Sequence, residues 1–566
     1  MNGGGPEHSL EYAVDLWCSH LNSVSEQSLG ARRKFVVTAL FVVGGALVAY
    51  EASQYILDEN YNGMVYAIGS TAGILVALLI LKDWRKGLYL FLAWLLFEDL
   101  VRKYMGNNMV IYFAKDVLAL ITMLACFADY LRKRAQFFRP PFLVPLLVFV
   151  WLGILQVFNP ASSHPVFGLM GLKLYFFYMP LVFVGYALVE SEADIRKFFW
   201  CNIILADLIA GLGIAQSILG HTFLNPERPA DDLRELSTLY RTAPLSGIQV
   251  YRPTSVFVSD GRFASYITLS LLLAFGFASY LLLKKDRRRM FSAVSLAIIA
   301  IAAVLSASRG ALLWSMLNLS AGSVAFLWGA PWKQREVIRV LRTIWRTAFV
   351  IAVALLILLL LNPAALLDRA AFYSETLMPG SEQSELAYRV YQYPMENFLS
   401  AFEHSRWMIG YGIGTASLGV QYVARYFKTV SAAPATENGY GTLIIEFGIS
   451  GLVLWILISA SIAKASWRII RSLKGTVWFP LAFVLGWFAF LILVPYTYNG
   501  MAAYQNFVIN AYLWLLIGIL FRIPKLAAAG AKPGQPGTVK AKNPGHPAVR
   551  IAQATAKSTV PAANCS

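Results

Sequence analysis

Charge is scarce in this chain. Asp, Glu, Lys and Arg make up 14% of its 566 residues, against 58% hydrophobic, and a soluble fold of this length cannot cover its surface with so few polar groups. Cysteine is scarcer still: Cys18, Cys126, Cys201 and Cys565 have no paired spacing, which argues against a disulfide framework or a thiolate metal site. No His/Cys/carboxylate cluster has metal-ligand spacing, so no metal and no cofactor is expected. No Gly-x-Ser-x-Gly elbow marks a serine nucleophile. Gly410, Gly412 and Gly414 follow no strand and fit no phosphate-loop fingerprint; they read as a turn that returns a loop to the membrane. Residues 1–35 carry Glu7, Glu11, Asp15 and Glu26 without an early apolar core, unlike a cleavable signal peptide.

What the chain has in abundance is apolar runs long enough to cross a hydrocarbon core as helices. About fourteen are expected, at 36–52, 64–81, 87–101, 108–130, 141–158, 170–189, 198–219, 262–283, 290–307, 309–330, 347–362, 441–463, 476–496 and 505–522. The third is short and flanked by Glu98, Asp99, Arg102 and Lys103. The expected fold is therefore an all-α polytopic membrane protein with a large external loop between the eleventh and twelfth helices. Its parts are a cytoplasmic N-terminal segment (1–35), a membrane domain (36–523) with long external loops at 220–261 and 362–440, and a basic, disordered cytoplasmic tail (524–566).

The net charge of +17 does not call for nucleic acid, because the basic residues sit in short clusters between apolar runs. With the N-terminus inside, Lys82/Arg85/Lys86, Arg132 to Arg139, Arg196/Lys197, Lys284 to Arg289, Lys333 to Arg346 and Lys464 to Lys474 fall on the cytoplasmic side. Only Arg102 and Lys103 go against the rule.

Three motifs converge on the outer face in this topology. Tyr251-Arg252-Pro253-Thr254-Ser255-Val256-Phe257, with Ser259-Asp260-Gly261, leads into the eighth span. Ser306-Ala307-Ser308-Arg309-Gly310 makes a tight turn between the ninth and tenth. Gly410-Tyr411-Gly412-Ile413-Gly414-Thr415 precedes Glu437-Asn438-Gly439-Tyr440 at the mouth of the twelfth. Arg309 alone reads as an interfacial arginine that snorkels into head groups, and Arg252 alone as a solvated loop residue. Together at helix entrances on one face they suit a diphosphate, because the guanidinium fork matches phosphate oxygens and stays charged. Glu437 is either a carboxylate capping the twelfth helix or a general base, with Asn438 to orient it. Arg369, Tyr388 and Arg389 of the large loop are further candidates for contacting phosphate or sugar.

These motifs, in this order, resemble the O-antigen ligase and O-antigen polymerase superfamily of bacterial membrane glycosyltransferases, over residues 200–520. The resemblance implies an inner-membrane enzyme whose site faces the periplasm. It would take a glycan from an undecaprenyl diphosphate carrier and join it, without a metal, to an acceptor sugar hydroxyl; a flippase and chain-length regulator proteins are further implied partners. Arg252 and Arg309 would hold the diphosphate and Glu437 would act as base, with Asn438 and Asp260 beside the substrate. Glu437 stands where ligases commonly have histidine, and Ser259-Asp260-Gly261 replaces the usual Asn-Pro-Asn. The first departure favours a polymerase of exopolysaccharide or O-antigen repeats over a ligase to lipid A core or protein. A transporter or flippase of lipid-linked sugars is the competing class, expected to show two related halves with broken helices and charges near mid-span.

Overall fold

The computed structural model describes residues 61–106, 108–134, 137–227, 229, 233, 236, 239–331, 334–377 and 388–530. The expected span at 36–52, the segment 1–35 and the tail past 530 lie outside the described residues. In chain order the helices are α1 (Tyr61–Lys82), α2 (Trp84–Met105), α3 (Met109–Arg132), α4 (Leu143–Val157), α5 (Pro165–Phe176), α6 (Leu181–Leu188) and α7 (Glu192–Leu219). A hairpin of β1 (Tyr240–Thr242) and β2 (Gln249–Tyr251) comes next. Then follow α8 (Asp260–Leu283), α9 (Arg289–Leu305), α10 (Arg309–Gly329), α11 (Gln334–Leu361), α12 (Pro363–Leu377), α13 (Tyr393–Ser400), α14 (Val420–Phe427), α15 (Gly439–Phe447), α16 (Ile449–Ser472), α17 (Phe479–Leu491), α18 (Ala502–Gln505) and α19 (Phe507–Gly530). α17 continues through a π turn, Ile492–Tyr496, to Asn499.

Eight described helices are long and apolar enough to cross a membrane, and four shorter apolar helices accompany them. The expected count of fourteen depends on those shorter helices, on the charged α2 and on a run outside the described residues. α8 and α19 form the centre, with 78% and 83% of their most apolar windows buried. α19 packs on α6 almost backbone to backbone: a Cβ on Gly185 would run into the Leu515 carbonyl, and one on Gly518 into that of Val182. Toward the periphery Leu147, Trp151, Ile456 and Leu457 remain exposed, as lipid-facing positions do.

α2 is a full helix, longer than the apolar run at 87–101, because its charges are paired inside the bundle. Glu98 meets Lys115 at 2.9 Å, Arg102 meets Asp99 at 3.0 Å, and Asp99 accepts from Arg262 at 2.6 Å. Lys103, 1% exposed, donates to Thr254 Oγ1 at 2.9 Å and to the Ser255 carbonyl at 2.6 Å. The two cations that break the charge rule are thus interior residues, which no loop-charge count describes.

Three other boundaries differ from the apolar runs. The expected twelfth span, 441–463, is broken into α15 and α16 at Gly448, whose φ of 74° ends a helix readily in glycine; a Cβ there would also strike the Met408 carbonyl. The connection at 362–440 is substantially helical, holding α12, α13 and α14. The last helix runs to Gly530 instead of ending at 523.

Candidate active site

The helix pair α9–α10 is joined by Ser306-Ala307-Ser308. Ser306 Oγ donates back to the Ala303 carbonyl at 2.7 Å, Ala307 takes a left-handed φ of 51°, and Ser308 Oγ caps α10 by accepting from Ala311 N at 3.3 Å. This places Arg309 in the first position of α10. The spacing Ser-x-Ser-Arg is therefore a C-terminus, a left-handed link and an N-cap in succession.

Arg252 is held from both sides. Thr254 N and Ser255 N donate to Gln216 Oε1 at 2.8 and 2.7 Å, and Ser255 Oγ donates to the Ile209 carbonyl at 2.8 Å. With Lys103 on the same two residues, the segment after Arg252 is anchored to α2 and α7. The Arg252 guanidinium pairs with Asp260 in the first turn of α8. Burial pulls the Arg252 pKa below its usual value against the opposing pull of Asp260, and the like charges of Arg241 and Arg309 add to the lowering. The hairpin aligns Arg241 with Val250, which brings this third arginine to the same place.

Arg241, Arg252 and Arg309 line one cavity of about 840 Å³, within the usual size of a ligand pocket. Below them Leu313 and Leu317 line it too. Positions 309, 313 and 317 lie on successive turns of one face of α10, so the cavity runs from cationic groups along an apolar strip, and Leu317 is 45% exposed at the bundle periphery. Trp314, stacked on Tyr496 at 4.4 Å between centroids, closes another side with Tyr498 and Asn499. These last two follow the π turn at Pro495, a proline that cannot donate to the helix ladder.

Arg369 does not line the cavity. It is 4% exposed, and its Nε donates to the Leu305 carbonyl at 3.0 Å and a terminal nitrogen to the Tyr251 carbonyl at 3.1 Å. It ties the C-terminus of α9 to the strand preceding Arg252. Beside it, Glu375 accepts from Leu245 N and Ser246 N at 2.8 and 3.1 Å and clamps the hairpin tip to α12.

Glu437 is exposed and precedes the cap of α15. The capping is done by Asn438, which accepts from Gly441 N at 2.9 Å and donates to the carbonyls of Pro394 and Tyr498 at 2.9 and 2.6 Å. Through that last bond Glu437 is held next to the cavity rim without being one of its lining residues. Asp260 lies behind Arg252. Tyr388 is in a π turn, exposed, with its ring 5.6 Å from that of Tyr393; the side chain of Arg389 lies outside the described residues. The sequence thus brings Arg252, Arg309 and Asp260 together, puts Glu437 at the rim and Arg369 in the frame. The glycine motif lies elsewhere, bonded from Tyr411 N to the Ile445 carbonyl at 2.7 Å.

Sequence reasoning missed Arg241, Trp314, Tyr498 and Asn499. Arg241 lies on a three-residue strand, too short to show an alternation, and the other three read as ordinary interfacial aromatics and a loop amide. Among the described residues, no group of three or more His, Cys, Asp or Glu is arranged to hold a metal ion.

No curated protein matches the chain. Residues 294–456, from α9 through Arg309 and the α12–α14 connection into α16, match the family model described as O-Antigen ligase, which supports the likeness of this part of the chain to the O-antigen ligase and polymerase superfamily.

Proposed function

We propose that this protein transfers a glycan from a polyprenyl diphosphate carrier to an acceptor sugar hydroxyl, acting as a polymerase of repeat units at the outer face of the bacterial inner membrane. The observation that carries the reading is the cavity's two-part lining. Three guanidinium groups suit a diphosphate, and the Leu313–Leu317 strip leading from Arg309 to the bundle periphery suits an isoprenoid tail. A ligand with both parts is a lipid diphosphate.

In the reaction the acceptor hydroxyl attacks the anomeric carbon and the glycosidic C–O bond to the diphosphate breaks. The electron pair leaves with the diphosphate, where Arg252 and Arg309 stabilise the growing negative charge. The hydroxyl proton passes to the Glu437 carboxylate at the cavity rim. Asp260 fixes the Arg252 guanidinium, while Arg369 and Asn438 hold backbone in place and act as positioning residues. Glutamate in place of histidine ahead of Asn438 favours a polymerase over a ligase.

The test is transfer by the purified protein in nanodiscs, with an undecaprenyl diphosphate oligosaccharide as donor. Wild type is expected to lengthen the lipid-linked glycan, and Arg309→Ala and Glu437→Gln to lose two or more orders of magnitude. Normal polymerisation by both variants overturns the site; movement of labelled lipid across the bilayer without transfer establishes a transporter instead.

A further inference from the structure

A second cleft, of about 330 Å³, lies at the opposite end of the bundle, between the C-terminus of α3, the segment after it, the end of α6 and α19. It is separate from the arginine cavity, and the reading of its role does not rest on the proposed transfer reaction. Trp84 and Asp129 border one side, Arg139 and Tyr186 another, and Arg522 and Lys525 the third.

The carboxylates at this cleft already have cations. Glu190 pairs with Arg85 at 2.7 Å, and Asp129 pairs with Arg132 at 2.6 Å and Lys133 at 2.7 Å, with the Trp84 indole donating at 3.4 Å. Among the described residues Arg139 and Lys525 meet no carboxylate. Arg522 uses Nε on the Val189 carbonyl at 2.8 Å, which leaves its terminal nitrogens for the cleft. Arg522 and Lys525 are three residues apart on one face of α19, and both stand over the Tyr186 ring, at 5.1 and 5.5 Å from its centroid.

The aromatic floor is built to hold this arrangement. Tyr186 stacks on Phe138 with centroids 4.2 Å apart and planes 4° from parallel, and Tyr130 stacks on Phe137 at 5.2 Å. The ring faces attract the cations and fix their positions without neutralising them. The result is a concave site with an excess of positive charge, fork-shaped donors and, among the described residues, no unpaired acid to compensate. Leu131 and Phe137, 68% and 42% exposed, continue it into an apolar surface.

We propose that this cleft binds the phosphate of an anionic phospholipid headgroup, between Arg139 on one side and Arg522 and Lys525 on the other. A guanidinium on each side matches phosphate oxygens, and the exposed Leu131 and Phe137 accommodate the start of the acyl chains. A soluble phosphate shares the headgroup chemistry but gains nothing from that apolar margin.

The test is native mass spectrometry of the full chain in neutral detergent with dioleoyl phosphatidylglycerol or dioleoyl phosphatidylcholine. Wild type is compared with Arg139→Gln/Lys525→Gln and with Arg287→Gln/Arg288→Gln, which removes the same charge elsewhere at the same end. Wild type is expected to retain one phosphatidylglycerol, and no phosphatidylcholine, under activation that strips other lipid. The first double variant should lower that occupancy by about tenfold, in keeping with the loss of charge-assisted hydrogen bonds, while the second should retain it. Equal losses in both doubles, equal retention of phosphatidylcholine, or no loss in either overturns the site. Inorganic phosphate is the second arm: retention of phosphate without lipid, abolished by the first double variant, rejects the lipid and assigns the cleft to a soluble anion.

Discussion

The guanidinium of Arg252 is paired with the carboxylate of Asp260, which stands in the first turn of α8. The acid is doubly placed, since a helix N-terminus favours its negative charge and the arginine in front of it needs a fixed direction. Asp260 thereby aims Arg252 at the cavity that Arg309 also lines.

Replacing Asp260 with Asn keeps the shape and removes that aim. Asp260→Asn should lower kcat/KM for the lipid donor by about tenfold or more, with the change mainly in KM if the pair orients ground-state binding. Glu restores more activity than Asn. Steady-state transfer in nanodiscs checks this.

The apolar strip on α10 should discriminate by tail. Leu313→Trp fills the groove beneath Arg309 and should raise KM for a long polyprenyl donor by about tenfold, while a donor analogue with a short soluble tail is unaffected. Equal effects on both donors would mean that the strip does not hold the tail.

The buried charges of α2 should be costly to unbalance. Asp99 accepts from Arg262 and meets Arg102, so Asp99→Asn removes the carboxylate that Arg262 meets and the nearer of the two that Arg102 meets, Glu98 standing 3.7 Å from it. Breaking such a set costs about 3–5 kcal/mol. The variant should unfold at markedly lower temperature in detergent, and a thermal melt followed by tryptophan emission reads the difference.

Glu375 makes a pH-sensitive clamp. Its pKa is lowered from 4.5 by hydrogen bonds from the Ser246 side chain and from the backbone of Leu245 and Ser246. A carboxylate whose folded pKa is depressed stabilises the clamp above its unfolded value, and that contribution is lost as pH falls through the folded one. Amide exchange at Leu245 and Ser246, corrected for intrinsic rate, should therefore accelerate below about pH 4.5. In Glu375→Gln it should be fast and lack this step.

Arg252, Arg309 and Asp260 were legible in the sequence because each sits within a few residues of a helix start, where local spacing and chain order suffice. Arg241 was not, since only the pairing of β1 with β2 carries it to the cavity. Arg369 was expected to contact phosphate or sugar, and its bonds to the Leu305 and Tyr251 carbonyls were not legible for the same reason, since they come from parts of the chain far from it. Asn438 likewise proved to be the cap of α15, held by Pro394 and Tyr498, with Glu437 outside the helix.

By itself the sequence determined that the chain is a set of apolar helices with short clusters of basic residues between them, because hydrophobic length and charge are properties of contiguous segments. It also determined that cationic motifs stand at helix entrances. Tertiary structure alone decided that α2 survives with its charges inside, that Gly448 breaks a span where it meets Met408, and that three arginines from separate segments share a cavity with the α10 strip. Those outcomes depend on pairing between distant residues, where an interior ion finds its counter-ion or a backbone finds room, and no local pattern encodes the partner.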